Sequence, residues 1–82
     1  DITPIDKPVL QELKIDVTDV MKKFHRKYPS RVIVVSTSGF TDDSFEFVND
    51  RAGTFTSRLG SVLCNIELIK ERVDGSYDVL SF

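Results

Sequence analysis

Few side chains of this sequence combine in a way that supports catalysis. His25 stands among basic neighbours in KKFHRKYPSR, and no local carboxylate is placed to orient it as a general base. Cys64 alternates with Val62 and Ile66, a pattern typical of a small core residue, and no basic cluster nearby would lower the pKa of its thiol. We therefore expect a protein that is not an enzyme.

Two polar segments have some features of ligand sites. The loop Ser36–Gly39 follows an apolar run, as phosphate-binding loops do, but Asp42 and Asp43 would occupy the positive end of the next helix and repel an anion. Glu46 adds a third carboxylate, yet the spacing is not that of an EF-hand and acids in a first turn favour the helix dipole. One cysteine and one histidine cannot make a zinc site. We expect no metal and no cofactor.

Charge is unevenly distributed along the chain, although the formal net charge is only −2. Positions 20–40 contain cations and no acid: Lys22, Lys23, Arg26, Lys27 and Arg31. At a helix end such cations complement the dipole, and they also suit phosphate contacts, so an alternative function is weak nucleic-acid association through these five residues. Positions 41–50 are acidic, and a small inhibitor that presents segment 42–50 is a further alternative.

The element that carries the basic end is predicted from apolar spacing. A stripe at about 100° per residue covers one side of positions 9–28. Its members are Leu10, Leu13, Val17, Val20, Met21, Phe24 and Tyr28. Asp6 is the expected N-cap and Pro29 the expected stop, so we predict a helix over about 7–28. A competing interpretation makes 9–15 a strand and begins the helix after Asp16.

The next segments predict a strand followed by an ambiguous stretch. RVIVVST (31–37) has four consecutive β-branched residues, which favours a strand buried on both faces or at the centre of a sheet. Positions 41–49 fit either a helix that begins after Thr41 or a short strand in which Phe45 and Phe47 alternate.

The last third also has two interpretations. Alternation along 62–68 and the dipeptide Asp74-Gly75 predict a hairpin with a two-residue turn, in which Val73 pairs with Ser76. The core face would then consist of Val62, Cys64, Ile66, Leu68, Tyr77 and Val79. A helix over 59–73, ended at Gly75, is the alternative, and we favour the hairpin.

These elements define an α+β fold. The chain of 82 residues is expected to form a single small globular domain over 1–82. A long N-terminal amphipathic helix packs on a small, mostly antiparallel sheet with a C-terminal β-hairpin, because one apolar helix stripe must cover one apolar sheet face. No run approaches the length of a membrane span. The chain begins at Asp1 without methionine, which suggests processing or excision, and the single cysteine suits a reducing, cytoplasmic location.

The favoured function is a non-catalytic protein-interaction module, which binds a protein partner or a second copy of itself. In the predicted register the face opposite the core carries the apolar residues Leu63, Ile69, Leu80 and Phe82. The single helix stripe covers only one face of the sheet. The other face is left for the 41–58 segment, for a second copy or for another protein.

Overall fold

The fold is α+β, as the sequence predicts. The structure, a computed structural model, describes residues 3–23, 31–57 and 59–80. The elements are α1 (Lys7–Lys23), β1 (Val32–Ser36), α2 (Asp42–Asn49), a 3₁₀ turn (Arg51–Gly53), β2 (Thr54–Thr56), β3 (Val62–Glu71) and β4 (Tyr77–Val79). The competing strand over 9–15 is therefore wrong, and so is the C-terminal helix.

Helix α1 begins where its capping residue predicts. The Asp6 carboxylate accepts a hydrogen bond from the Val9 N–H at 3.3 Å, which satisfies one of the unpaired donors of the first turn. Leu10 is fully buried, whereas Ile15, which lies off the stripe, is 59% exposed. The stripe weakens toward the C-terminal end, where Val20 is 46% exposed instead of buried. Phe24 and Tyr28, expected in the same stripe, lie outside the described residues.

Strand β3 organises the sheet. It pairs in parallel with β1, where Val34 faces Leu68, and antiparallel with β2, where Phe55 faces Cys64. Its C-terminal end also pairs antiparallel with β4. Residues 69 and 70 have partners in both β1 and β4, so these two strands lie on opposite edges of β3.

The core lies on one side of this sheet. Cys64, Ile66 and Leu68 of β3 point to it, and they pack with side chains from α1, α2 and β2. Val62, which alternation predicts on the same face, is 53% exposed at the start of the strand, so that assignment was wrong. The buried members of the core are Leu10, Phe47, Val48, Phe55, Cys64, Ile66 and Leu68.

The ambiguous 41–49 stretch is helical and belongs to this core. Thr41 is the N-cap of α2, and the Ser44 hydroxyl, fully buried, donates to the Ile5 carbonyl at 2.7 Å. Phe47 and Phe55 are buried in the cluster that contains Leu68. Both helices therefore pack on the same side of the sheet, and the described residues 41–57 do not cover the other face.

The C-terminal hairpin exists, but its predicted register is wrong by one residue. The Arg72 N–H donates to the Ser76 carbonyl at 2.8 Å, and the Gly75 N–H donates to the Arg72 carbonyl at 3.0 Å. The loop thus has three residues, with Gly75 at φ +88°, the conformation that closes a type I turn with a bulge. Ile69 consequently faces Val79 and not Leu80.

An ion pair between Arg72 and Asp78 joins the two strands of the hairpin, and it makes the stability of the hairpin depend on pH. The Arg72 guanidinium binds both carboxylate oxygens of Asp78, at 2.7 and 2.5 Å, and this hydrogen bonding holds the pKa of Asp78 below its usual range. The unfolded chain lacks the pair, so its contribution to stability is present above the ordinary aspartate pKa and is lost as pH falls through the lowered one.

We expect Arg72→Gln to raise the midpoint of the Asp78 carboxyl titration, followed by NMR, toward the ordinary aspartate value. Asp74 is the internal control: its pKa is lowered by the Ser76 hydroxyl and amide, which the substitution leaves in place. An unchanged Asp78 midpoint in the variant would contradict the assignment.

Candidate functional site

The residues singled out for catalysis are not brought together among the described parts of the chain. Cys64 is buried, and desolvation raises the pKa of its thiol, so it is a core residue as its alternation predicts. The Ser36 hydroxyl oxygen accepts a hydrogen bond from the Ser38 N–H at 3.2 Å, and the Gly39 carbonyl accepts one from the Ile5 N–H at 3.0 Å. The loop is thus fastened within the fold. His25 lies outside the described residues.

The acidic residues of α2 point to solvent. Asp42, Asp43 and Glu46 are all exposed, and the Thr41 hydroxyl donates to the Asp43 carboxylate. Within residues 3–23, 31–57 and 59–80, no group of three His, Cys, Asp or Glu side chains is placed to hold a metal ion. The inhibitor hypothesis for segment 42–50 stays a prediction.

The structure places three of the five basic residues. Lys22 and Lys23 are exposed in the last turn of α1, while Arg26 and Lys27 lie outside the described residues. Arg31 lies directly before β1, where its Nε donates to Glu67 Oε2 at 2.8 Å. This ion pair partly neutralises one cation of the proposed set, and nucleic-acid binding stays a prediction.

The predicted partner-binding residues do not all share one surface. Ile69 does lie on the sheet face opposite the core, and Leu63 is 46% exposed beside the irregularity between β2 and β3. Leu80 packs against the core, because the one-residue change in register moves it to the other face. Its placement on the apolar outer face was therefore wrong. Phe82 lies outside the described residues.

The face opposite the core is nevertheless apolar. Val35 faces Ile69 and Ile69 faces Val79, so three aliphatic side chains form a row across β1, β3 and β4. Ile33 extends this row along β1, and Tyr77 extends it along β4. We call the surface formed by Ile33, Val35, Ile69, Tyr77 and Val79 the open face.

Contiguity distinguishes the open face from other exposed apolar side chains such as Ile15 and Leu59, because its members are neighbours across three paired strands. Ile33 is 45% exposed and Val35 48%, while Tyr77 and Val79 are 61% and 69% exposed. Monomeric proteins rarely leave a contiguous apolar patch of more than a few hundred Å² in water.

Charged groups border the open face on β3. Glu67 faces Ile33 across the strands and is held by Arg31, whereas Glu71 faces Tyr77 at the other end of the row. The exposed Arg31–Glu67 pair adds little to stability. It does hold the Arg31 guanidinium against the sheet, so the face has a polar rim and an apolar centre, as protein interfaces have.

The depressions beside α1 do not form a comparable site. They are lined by residues such as Gln11, Ile15 and Thr18 and surround Lys14. The Lys14 ammonium donates to the Ala52 carbonyl at 2.6 Å and lies 6.0 Å from the centre of the Phe55 ring. Lys14 thus covers the core between α1 and the 3₁₀ turn, which is a structural role.

Sequence reasoning missed four members of the open face. Tyr77 and Val79 were assigned to the core through the incorrect register. Ile33 and Val35 belong to the β-branched run, which predicts a strand buried on both faces. In the structure β1 is buried only on the core side, and β3 is its only partner strand among the described residues.

Comparisons with known proteins add no assignment, since no family model, curated protein or solved structure matches this chain. None of the helices in the described part of the chain is long and apolar enough to cross a bilayer.

Proposed function

We propose that the protein is a non-catalytic protein-interaction module and that the open face is its binding surface. The observation that carries the proposal is the apolar row across β1, β3 and β4, in which Val35 and Val79 are 48% and 69% exposed. Both helices of the described ranges pack on the other side of the sheet, so none of the described elements buries the open face, and a surface from another molecule would bury it.

The kind of contact follows from the shape of the surface. A twisted sheet face accepts a second sheet or a helix whose apolar residues lie against the row. Tyr77 supplies a large, rigid side chain at the edge of the row, of the type enriched at the centres of interfaces. The energy of binding is expected to come mainly from this apolar area, and the carboxylates of Glu67 and Glu71 orient the partner.

A pair of balanced variants tests the proposal. Tyr77→Lys with Val79→Glu changes two side chains of the open face without altering net charge, and the new lysine faces Glu71. Ile15→Lys with Val20→Glu is the matched control, because these side chains are 59% and 46% exposed on α1. Circular dichroism and thermal melting first establish that both variants keep the parent fold.

Each protein is then immobilised and used to capture partners from an extract of its source cells, with quantification by mass spectrometry. We expect a set of proteins that the parent and the control retain and that the open-face variant loses by at least tenfold, since each 1.4 kcal/mol of binding energy is a factor of ten. Capture that is equal for all three proteins would reject the open face as the binding surface.

A further inference from the structure

The outer edge of β1 is a second feature, distinct from the open face, since no strand among the described residues pairs with it. The Leu80 N–H donates to the Leu68 carbonyl at 2.8 Å, so Leu68 directs its main-chain groups to β4. Glu67 and Ile69, on either side of Leu68, then direct their main-chain groups to β1. There they bond to Val34, the residue that faces Leu68 in the parallel register. Alternation therefore directs the main-chain N–H and C=O of Ile33 and Val35 away from the sheet.

This edge lacks the features that keep edge strands apart. Natural edges are shortened, charged, bulged or interrupted by proline. Among the described strands, β2 and β4 have three residues each, and β4 carries Asp78. Strand β1 has five residues, VIVVS, with no charge and no proline.

The composition of β1 is also that of an interior strand. Four consecutive β-branched residues are typical of strands with a neighbour on both sides, yet β1 lies at an edge and two of its side chains are about half exposed. A further strand beside β1 would resolve this mismatch between sequence and environment.

We infer that β1 pairs antiparallel with β1 of a second copy of this chain, about a twofold axis through Val34. In this register Ile33 faces Val35 of the second copy, and Val35 faces its Ile33, so the outward main-chain groups of both residues are paired. No ionised side chain of the strand faces another across the joint, because residues 32–36 are uncharged and Arg31 lies opposite Thr37.

Edge pairing is a better solution for two copies than stacking their open faces. A twofold axis along β3 would place Glu67 on Glu67 and Glu71 on Glu71 of the other copy, which opposes association. Edge pairing keeps these carboxylates apart and joins the two open faces into one continuous surface. The inference thus deepens the proposed function by naming the assembly that presents the surface.

The contact is small. A five-residue strand pair covers less area than the roughly 1,600 Å² of a standard interface, so the dimer is expected to be weak and reversible. Sedimentation velocity of the full chain, from micromolar to millimolar concentration, should show the mass rise from monomer to dimer. A parent that stays monomeric over this range would overturn the inference.

Two double variants test the register. Ile33→Lys with Val35→Lys places lysine opposite lysine across the twofold joint, whereas Ile33→Lys with Val35→Glu places lysine opposite glutamate. Both remove the same apolar side chains, and in each the new lysine at 33 faces Glu67 of its own chain. Circular dichroism confirms the fold of each variant before sedimentation.

We expect the lysine–lysine variant to stay monomeric at every concentration. The lysine–glutamate variant should have a dimer dissociation constant at least ten times lower than that of the lysine–lysine variant. Equal behaviour of the two variants would mean that the dimer forms elsewhere or in another register, and would overturn the inference. Partner capture through Tyr77 and Val79 is measured separately. A monomeric parent would therefore overturn the dimer without affecting the proposed function, and a failed capture would reject the binding surface without affecting the dimer.

Discussion

Leu68→Ala is expected to remove a large part of the stability of the fold. The Leu68 side chain is fully buried at the centre of β3, and truncation of a buried leucine costs about 2–5 kcal/mol because apolar contacts are lost and a cavity remains. A domain of this length has a total free energy of unfolding of roughly 4–12 kcal/mol. Urea denaturation followed by circular dichroism measures the loss.

Leu59 provides the same substitution in the opposite environment. Its side chain is 94% exposed, so Leu59→Ala should change the free energy of unfolding by no more than about 0.5 kcal/mol. A small effect at both positions would show that β3 does not form the centre of the core.

Gly53→Ala is expected to prevent the native fold, for a reason unrelated to apolar burial. A Cβ atom at this position would overlap the carbonyl oxygen of Phe47 and lie 2.9 Å from the Cα of Val48. Both are main-chain atoms of α2, so relief requires the 3₁₀ turn to move away from the helix. That movement would separate α2 from β2 and expose Phe47 and Phe55. Overpacking of this severity exceeds the 1–3 kcal/mol typical of inserted methylene groups.

Gly75→Ala is the control for Gly53→Ala, because it adds a Cβ atom that changes the preferred backbone conformation without a steric collision. Gly75 has φ +88° and no heavy atom within 4 Å of an added Cβ, so only the left-handed backbone is penalised, at about 1–2 kcal/mol. We expect this variant to melt a few degrees below the parent, while Gly53→Ala shows no cooperative transition. Similar melting temperatures for the two variants would show that the close approach at Gly53 is absent in solution.

The elements with strong local signals were predictable from sequence. Helix α1 follows from its apolar stripe and from Asp6, whose carboxylate caps the first turn. The stripe also identified Leu10 as core. It could not show that Val20 would be 46% exposed, because periodicity gives the direction of a side chain and not the distance to the next layer.

The hairpin illustrates where local signals are ambiguous. Asp-Gly suits both a two-residue turn and a three-residue loop with glycine in the bulge, and the two differ by one position in register. The Asp74 carboxylate accepts hydrogen bonds from the Ser76 N–H and hydroxyl, at 3.0 and 2.6 Å, which favours the longer loop. Since side chains alternate, that single position exchanged Leu80 for Val79 on the open face.

The partner strand of β1 could not be predicted from the residues near it in the sequence. Its neighbour β3 is distant in the sequence, and the β-branched run indicates burial without naming the strands that supply it. The open face could therefore be only partly predicted: Ile69 was placed correctly, while Ile33 and Val35 were assigned an interior position and are about half exposed in the structure.

The central position of β3 also fixes the order in which the sheet can assemble. Val32 faces Ile66, so β1 has no partner strand until synthesis has passed the middle of β3. The described contacts of β1 are thus formed late and across a long intervening segment, which slows folding. Before β3 is in place, β1 is an apolar, uncharged strand without its partner, and unpaired strands of this kind favour association between incompletely folded chains.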